Sequence, residues 1–235
     1  MTRRRGLVDR DLQPADRLGE RVGDVFDVEV GGPGDERELI DALDGKDAVF
    51  TTSRLTLSER VLEATDLDLV AKIGTGIDNV DLDAAARLGI PVTHTPGMNA
   101  MSVAEHTVGL LLAVTHRISQ TQDLLRNGGW RDDAPFGTQL YGKTVGIVGY
   151  GNVGRRVAKL LSGFDLRTLA YDPYVREIDG ELTGAELTSF DRLLEESDAA
   201  CVNAELTEET RGMIGESALA AMKPSAVLVN TARGP

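Results

Sequence analysis

A strand, a glycine-rich turn and a helix follow one another in the middle of the chain, and this order constrains the fold most. The turn Gly149-Tyr-Gly-Asn-Val-Gly154 comes directly after the apolar run Thr144 to Val148, and apolar residues then recur at helical spacing up to Gly163. In such a turn Gly149 permits the tight bend, Gly151 lets the backbone approach a pyrophosphate, and Gly154 lets helix and strand pack closely. The pattern predicts a dinucleotide-binding βαβ unit. Asn152 and Val153 then lie at the helix start, where backbone N–H groups face the phosphates.

An acidic residue ends the second strand of this unit. The apolar run Leu166 to Tyr171 is followed by Asp172, eighteen residues after Gly154. A carboxylate there accepts hydrogen bonds from the adenosine ribose hydroxyls and repels a 2′-phosphate, so it favours NAD over NADP. In a chain with 26 glycines, the alternative is an ordinary strand-to-helix turn. Strand, helix and terminal acid in register favour the cofactor interpretation.

The charge balance limits the partners of the chain. Its 38 acidic residues outnumber 25 Lys and Arg, for a formal net charge of −13, and repulsion opposes binding to nucleic acid or to an anionic membrane. The chain has 22 Asp and 16 Glu against 20 Arg and only 5 Lys. This balance is expected of a protein that works in concentrated salt, and measuring stability against KCl concentration tests that hypothesis. Cys201 is the only cysteine, and neither a secretory signal nor a long apolar stretch is found. We therefore expect a cytoplasmic protein without disulfides, and we predict no metal site.

Strand and helix patterns alternate along the chain, which predicts parallel sheets with helices on their faces. The predicted strands cover residues 25–30, 48–52, 67–73, 90–93, 144–148, 166–171, 199–203 and 226–230, and the predicted helices residues 35–43, 57–64, 82–88, 190–196 and 216–222. Ligands gather at the carboxyl ends of strands in such sheets. Two loops occupy that position in the first half, Ser53-Arg54 and Gly74 to Asn79.

The longest helical pattern covers Ser102 to Ile118, after a break at Thr95-Pro-Gly97. The break predicts a hinge that divides the chain into domains 1–98 and 99–235. Beyond the helix, Asn127 to Tyr141 is rich in Gly, Asp and Pro and is predicted to form a long loop.

Several further motifs occur in a fixed order: Ser53-Arg54, Gly74-Thr-Gly-Ile-Asp-Asn-Val-Asp-Leu-Asp83, Asn99-Ala-Met-Ser-Val-Ala-Glu-His106, Leu140-Tyr-Gly-Lys-Thr144, Tyr171-Asp-Pro173, Leu206-Thr-Glu-Glu-Thr-Arg-Gly-Met-Ile214 and Asn230-Thr-Ala-Arg-Gly234. Together with the glycine turn, they resemble the D-2-hydroxyacid dehydrogenase family, and within it the D-3-phosphoglycerate dehydrogenases most closely. The resemblance runs from about residue 51 to the end. The first fifty residues match poorly, and a usual opening strand is hard to find there.

The resemblance implies an α/β protein with two doubly wound parallel-sheet domains. Residues 1–98 would form a flavodoxin-like substrate-binding domain, and residues 99–235 a Rossmann NAD-binding domain that is incomplete at its C-terminus. It also implies hydride transfer between NAD and C2 of a small 2-hydroxy or 2-oxo acid bound in the cleft between the domains. The long helix and the following loop resemble the family's dimer interface, so a homodimer is expected.

The resemblance also assigns roles to single residues. Arg233 aligns with the catalytic arginine, whose fork can hold the substrate carboxylate and polarise the 2-oxo group. Thr75 and Gly76 resemble the loop that binds the substrate carboxylate, and Arg54 resembles the phosphate-binding arginine of phosphoglycerate dehydrogenases. The alternatives are a strand-end arginine in solvent for Arg233, a simple tight turn for Thr75 and Gly76, and a surface arginine for Arg54. Thr231 and Ala232 belong to the same motif as Arg233 and are assigned to cofactor binding.

Two departures from the family pattern stand out. The chain has Asn203-Ala-Glu205 where His-x-Pro is common, beside the expected nicotinamide ribose. The family's glutamate and its general acid/base histidine, which follow the arginine, are absent, and His94, His106 and His116 carry no motif for that role. The expectation is therefore a fragment of a longer enzyme that oxidises or reduces 3-phosphoglycerate, glyoxylate, hydroxypyruvate or a related acid. A non-catalytic NAD(H)-binding protein of the same fold is the alternative.

Overall fold

The computed structural model describes residues 3–181 and 183–234. The chain divides into two compact units, Met1–Asn99 and Ala100–Pro235. Each unit is an α/β fold built on one five-stranded sheet whose described strand pairs are all parallel.

The first unit has the strand order β2-β1-β3-β4-β5, which is the flavodoxin-like order. Its elements are β1 (Arg4–Asp9), α1 (Ala15–Val22), β2 (Phe26–Gly31), α2 (Glu36–Leu43), β3 (Ala48–Thr51), α3 (Glu59–Glu63), β4 (Leu69–Lys72), α4 (Leu82–Leu88) and β5 (Val92–Thr93). Successive strand residues bury opposite faces of the sheet: Leu7 packs in the cluster formed with α2, α3 and α4, and Val8 in a second cluster with α1.

The second unit has the strand order β10-β9-β6-β7-β8. Its elements are α5 (Ala100–Thr115), α6 (Ile118–Arg126), β6 (Thr144–Val148), α7 (Gly154–Leu161), β7 (Arg167–Tyr171), α8 (Glu177–Glu181), β8 (Glu186–Leu187), α9 (Phe190–Glu196), β9 (Ala199–Val202), α10 (Glu216–Ala221) and β10 (Val227–Asn230). Counted within the unit, the order is that of a Rossmann sheet, and the strand order reverses beside β6. A ligand crevice is expected outside the carboxyl ends of β6 and β9, where this reversal occurs.

Cys201 lies inside this second sheet. Its side chain is fully buried in the core cluster with Ile147 and Ala199, and burial raises the pKa of its thiol to about 12. A thiol with so high a pKa forms little thiolate at neutral pH, so Cys201 is a packing residue.

The predicted elements agree with the observed ones within two residues at each end, except for the long helix. That helix ends at Thr115, and α6 begins separately at Ile118, because Arg117 adopts a left-handed backbone conformation with φ of +53°. Arginine gives no sequence signal for this conformation. The loop predicted at 127–141 contains a short 3₁₀ turn at Arg131–Asp133.

The opening strand that was hard to find in the sequence is present in the structure. Arg4–Asp9 forms β1, which pairs with β2 on one side and β3 on the other. Its first two residues are exposed arginines and only its last four are buried, so the strand carries just Leu7 and Val8 as large apolar residues. Pairing on both sides, rather than its own composition, stabilises it.

Candidate functional site

Two of the three glycines in the turn after β6 occupy positions where a side chain does not fit. Gly149 has a φ of +88°, in the left-handed region that favours glycine. A Cβ on Gly149 would lie under 3.0 Å from the backbone of Ala204, and a Cβ on Gly154 would lie under 3.0 Å from the carbonyl oxygen of Gly149. A Cβ on Gly151 would meet open space. Packing therefore requires the first and third glycines, while the second keeps an open backbone surface at the strand end.

The start of α7 faces the same edge of the sheet. Val153 precedes the helix in a helical conformation, and no described side chain caps this end. The Arg155 N–H donates to the Gly151 carbonyl at 3.2 Å. Other N–H groups at this helix start can donate to water or a ligand, and the helix dipole favours a negative one. Asn152 is exposed and Val153 half-buried at this position. The turn can thus hold a pyrophosphate through its backbone.

Asp172 lies beside the turn, directly after β7. One carboxylate oxygen accepts a hydrogen bond from the Tyr150 N–H at 2.9 Å, and the other accepts one from the Tyr174 N–H at 3.0 Å. These bonds fix the carboxylate against the glycine turn. Each carboxylate oxygen can accept more than one hydrogen bond, so Asp172 can still accept bonds from the two hydroxyls of a ribose.

A chain of side-chain hydrogen bonds connects the ends of β9 and β10 to α5. The buried Thr107 hydroxyl donates to the Val103 carbonyl at 2.8 Å, so its oxygen accepts from the Thr231 hydroxyl, also at 2.8 Å. The Thr231 oxygen in turn accepts from the Asn203 Nδ2 at 2.9 Å. Since each hydroxyl has one proton, the direction of every bond follows from the first. These hydrogen bonds hold the segment that leads to Arg233 at a fixed position on the sheet.

Arg233 lies in the loop after β10. The loop is folded on itself, because the Ala232 N–H donates to Asn230 Oδ1 at 2.9 Å and Asn230 Nδ2 donates to the Arg233 carbonyl at 2.8 Å. Arg233 also lines an open pocket at the carboxyl ends of β9 and β10. The pocket is lined by Val202, Ala204, Glu205, Leu206, Thr210, Met213, Ile214, Asn230, Ala232, Arg233 and Gly234. Its lining is about evenly polar and apolar, with Glu205 and Arg233 as its two charged residues.

The loop with Thr75 and Gly76 follows β4 in the first unit. Gly74 begins it with a φ of +153°, and both predicted residues are half-buried. The Thr75 hydroxyl donates to Asn99 Oδ1 at 3.3 Å, and the exposed His94 contacts the Thr75 carbonyl through Nδ1 at 2.9 Å. The loop is therefore held by side chains from the segment after β5.

Arg54 is paired with a buried carboxylate. Its Nε and Nη2 donate to Asp9 Oδ1 at 2.9 and 2.5 Å, and Nη2 also donates to the Gly32 carbonyl. Asp9 is fully buried, and Arg54 is 19% exposed. Burial acts to raise the pKa of Asp9, but hydrogen bonds from Thr52 and Arg54 outweigh it, so the pKa lies below its ordinary value. Nη1 of Arg54 is buried without a hydrogen-bond partner among the described residues.

The predicted residues thus fall into two groups. The carboxyl edge of the second sheet carries the glycine turn, Asp172, Thr231, Ala232 and Arg233. The carboxyl edge of the first sheet carries Arg54, Thr75 and Gly76. Sequence reasoning missed Asp9, because its strand was not recognised, and Thr107, because a threonine in an apolar helix carries no signal of its partner.

Comparison with known proteins identifies the family. Residues 108–235 match the NAD-binding domain of the D-isomer specific 2-hydroxyacid dehydrogenases. The chain belongs to this family. The glycine turn and Asp172 lie within the matched range, and NAD is the cofactor of this domain.

Individual relatives agree with this membership. A D-3-phosphoglycerate dehydrogenase of Mycobacterium leprae is 41% identical over 94% of the chain, and the chain spans 43% of that relative. A glyoxylate reductase of Aeropyrum pernix is 38% identical over 100% of the chain and is covered to 72%. A D-lactate dehydrogenase from Aquifex aeolicus, solved with NAD and lactic acid, superposes with a TM-score of 0.84 at 29% identity, covering 97% of this chain and 69% of that one. The chain therefore spans less than half the length of the phosphoglycerate dehydrogenase.

The described part of the chain shows neither a membrane-spanning helix nor a cluster of metal ligands. Within residues 3–181 and 183–234, no helix combines the length and apolarity needed to cross a bilayer. In the same ranges, His, Cys, Asp and Glu side chains form no group of three or more suited to a metal ion.

Proposed function

We propose that the protein is an NAD-dependent oxidoreductase that transfers hydride between the nicotinamide and C2 of a D-2-hydroxy acid. The observation that carries this proposal is the family's NAD-binding domain, with its phosphate turn and Asp172 at one sheet edge. The substrate is 3-phosphoglycerate or a related small acid such as glyoxylate or hydroxypyruvate. Relatives named as phosphoglycerate dehydrogenase, glyoxylate reductase and hydroxypyruvate reductase support this range.

The residues of the second unit fit NAD and have separate roles toward it. The N–H groups of the turn from Gly149 to Gly154 bind the pyrophosphate, and Asp172 binds the adenosine ribose. Thr231 and Ala232 contact the nicotinamide half, because they follow β10, on the opposite side of β6 from Asp172. Bound NAD supplies the hydride acceptor or donor. In this proposal residues 99–235 form the NAD-binding domain and residues 1–98 the substrate-binding domain.

Arg233 is the catalytic residue of the proposal. Its planar fork holds the substrate carboxylate and polarises the 2-oxo group as negative charge develops on the C2 oxygen. The Thr75-Gly76 loop binds the substrate carboxylate through its backbone. Arg54 is the residue that we propose binds a phosphoryl group when the substrate carries one, although Asp9 holds its Nε and Nη2 and its Nη1 is buried.

Steady-state turnover tests the proposal. NADH oxidation is followed by absorbance with hydroxypyruvate, glyoxylate and phosphohydroxypyruvate, for the wild type, Arg233→Lys and the exposed control Arg211→Lys. We expect turnover of at least one acid, and a loss of about 10²- to 10³-fold in kcat/KM for Arg233→Lys only. NADH binding without turnover of any acid would instead favour a non-catalytic NAD(H)-binding protein.

A homodimer is part of the proposal. Large apolar side chains lie exposed on α6 and in the loop after it: Ile118 and Leu125 are each 51% exposed, Trp130 72% and Phe136 97%. Exposed apolar side chains of this size on neighbouring segments mark a surface that another protein covers. A second copy of the chain is the partner we propose.

A further inference from the structure

The pocket beside Arg233 contains a carboxylate with no role in the proposed reaction. Glu205 is exposed and lines this pocket together with Arg233. We propose that Glu205 determines the redox preference of cofactor binding, so that the protein binds NAD⁺ more tightly, relative to NADH, than it would without this carboxylate. The inference rests on the cofactor-binding mode of the proposed function.

The position of the pocket assigns it to the nicotinamide half of the cofactor. The pyrophosphate turn follows β6, and Asp172, which marks the adenosine ribose, follows β7 on one side of it. A dinucleotide held by its pyrophosphate must therefore extend its other half over β9, on the opposite side of β6. The pocket lies there, at the ends of β9 and β10.

The segment with Glu205 is held close to the turn. The Asn203 N–H donates to the Val148 carbonyl at 2.7 Å, and Gly149 packs so tightly on Ala204 that no Cβ fits between them. The Glu205 carbonyl accepts a hydrogen bond from the Thr210 hydroxyl at 2.5 Å. These contacts fix the backbone of residues 203–205 next to the phosphate turn, and Glu205 lines the pocket from this fixed position.

Charge is the property that distinguishes the two forms of the cofactor. The nicotinamide ring is positively charged in NAD⁺ and neutral in NADH, while the rest of the molecule is the same. Six of the eleven lining residues are apolar and Arg233 is half-buried, so water screens charges at the pocket less than in bulk solution. Arg233 disfavours the positively charged ring, and Glu205 offsets that repulsion. A bias toward bound NAD⁺ favours reduction of the 2-oxo acid on the protein.

Calorimetric titration of the full chain tests the inference. NAD⁺, NADH and AMP are titrated into the wild type, Glu205→Gln, Glu205→Asp and Glu208→Gln. Glu208 is an exposed neighbour in the same loop that lies outside the pocket lining. Glu208→Gln makes the same change in net charge as Glu205→Gln, but away from the pocket. Melting temperatures of all variants are measured alongside.

We expect Glu205→Gln to lower the affinity for NAD⁺ relative to NADH by about three- to tenfold, the effect of losing one charge interaction that water partly screens. Glu205→Asp keeps most of the wild-type ratio, Glu208→Gln keeps all of it, and AMP affinity stays the same in every variant. The inference is overturned if the wild type binds NAD⁺ and NADH but the ratio is unchanged in Glu205→Gln, or shifts equally in Glu208→Gln. A wild type that binds neither form would refute the proposed function itself.

Discussion

Asp9 shows how one residue organises the carboxyl edge of the first sheet. Its carboxylate lies at the end of a central strand, fully buried, and accepts hydrogen bonds from Arg54 and from both the N–H and the hydroxyl of Thr52. A charge in such a position is stable only while its partners remain. Asp9, which lies outside the recognisable motifs, therefore holds the loop that contains Arg54 in place.

This anchoring predicts a dependence of stability on pH. Because the pKa of Asp9 is lower in the folded chain than its ordinary value of 3.8, its stabilising contribution is complete above that value. The contribution is lost as pH falls through the lower pKa of the folded state. Arg54→Met leaves the buried carboxylate without its charged partner and should reduce the free energy of unfolding near neutral pH by about 3 kcal/mol. Urea unfolding between neutral and acid pH measures both effects.

Asp9→Asn and Asp11→Asn are the matched variants for this measurement. Asp11 is 56% exposed, with one oxygen 3.3 Å from Arg54, so Asp11→Asn should change stability by less than about 1 kcal/mol. Asp9→Asn should lose part of the acid-dependent slope. An unaltered slope in Asp9→Asn would show that other carboxylates cause the acid sensitivity.

Asp172 is the residue that should select NAD over NADP. In Asp172→Asn the charge that repels a 2′-phosphate is gone, so the affinity for NADPH should rise while that for NADH falls, each by about tenfold. Fluorescence titration with both reduced cofactors measures the two affinities. Asp165→Asn, at an exposed position in the same unit, is the control. A preference for NADH that persists in Asp172→Asn would contradict this assignment.

Among the elements, the glycine turn contains one glycine that folding requires and another that we expect cofactor binding to require. A methyl group on Gly154 collides with the Gly149 carbonyl, whereas one on Gly151 meets open space. Gly154→Ala should therefore lower the melting temperature by several degrees, as about 1 to 3 kcal/mol of overpacking does. Gly151→Ala should keep the wild-type melting temperature and lose NADH affinity, because its methyl group occupies the approach to the pyrophosphate. Thermal unfolding and NADH titration of both variants decide the matter, and equal melting temperatures would refute the packing argument.

The same turn shows which parts of the fold the sequence predicts. The β6, α7 and β7 elements have enough periodic apolar residues to define them, and their chemistry is local, with glycines and an acid at fixed spacing. Strand β1 has only two large apolar residues, and β8 only two residues in all, so both depend on pairing with neighbours distant in sequence. The Arg117 break between α5 and α6 is likewise invisible, because its residue type does not favour the conformation.

At the scale of the whole molecule, the positions of candidate site residues were predictable where these residues belong to motifs and not where they act through distant partners. The spacing of the glycines and Asp172 placed them at one sheet edge. The pairing of Arg54 with Asp9 joins residues 45 positions apart, and that of Thr107 with Thr231 joins residues 124 apart. No local pattern reports such contacts. The surroundings of Arg54, Asn203 and Glu205 therefore had to come from the structure.

The exposed apolar surface on α6 predicts the state of association. Because Ile118, Leu125 and Phe136 are half or more exposed in the single chain, burying them against a second copy is favourable. We expect a dimer at micromolar concentration in sedimentation velocity. The double substitution Ile118→Glu and Leu125→Glu places charges in that interface and should give a monomer, whereas Ser119→Glu, at an exposed polar position of the same helix, is the matched control. A wild type that sediments as a monomer would leave this surface without a second copy as its partner, and a dimer that persists in the double variant would place the interface elsewhere.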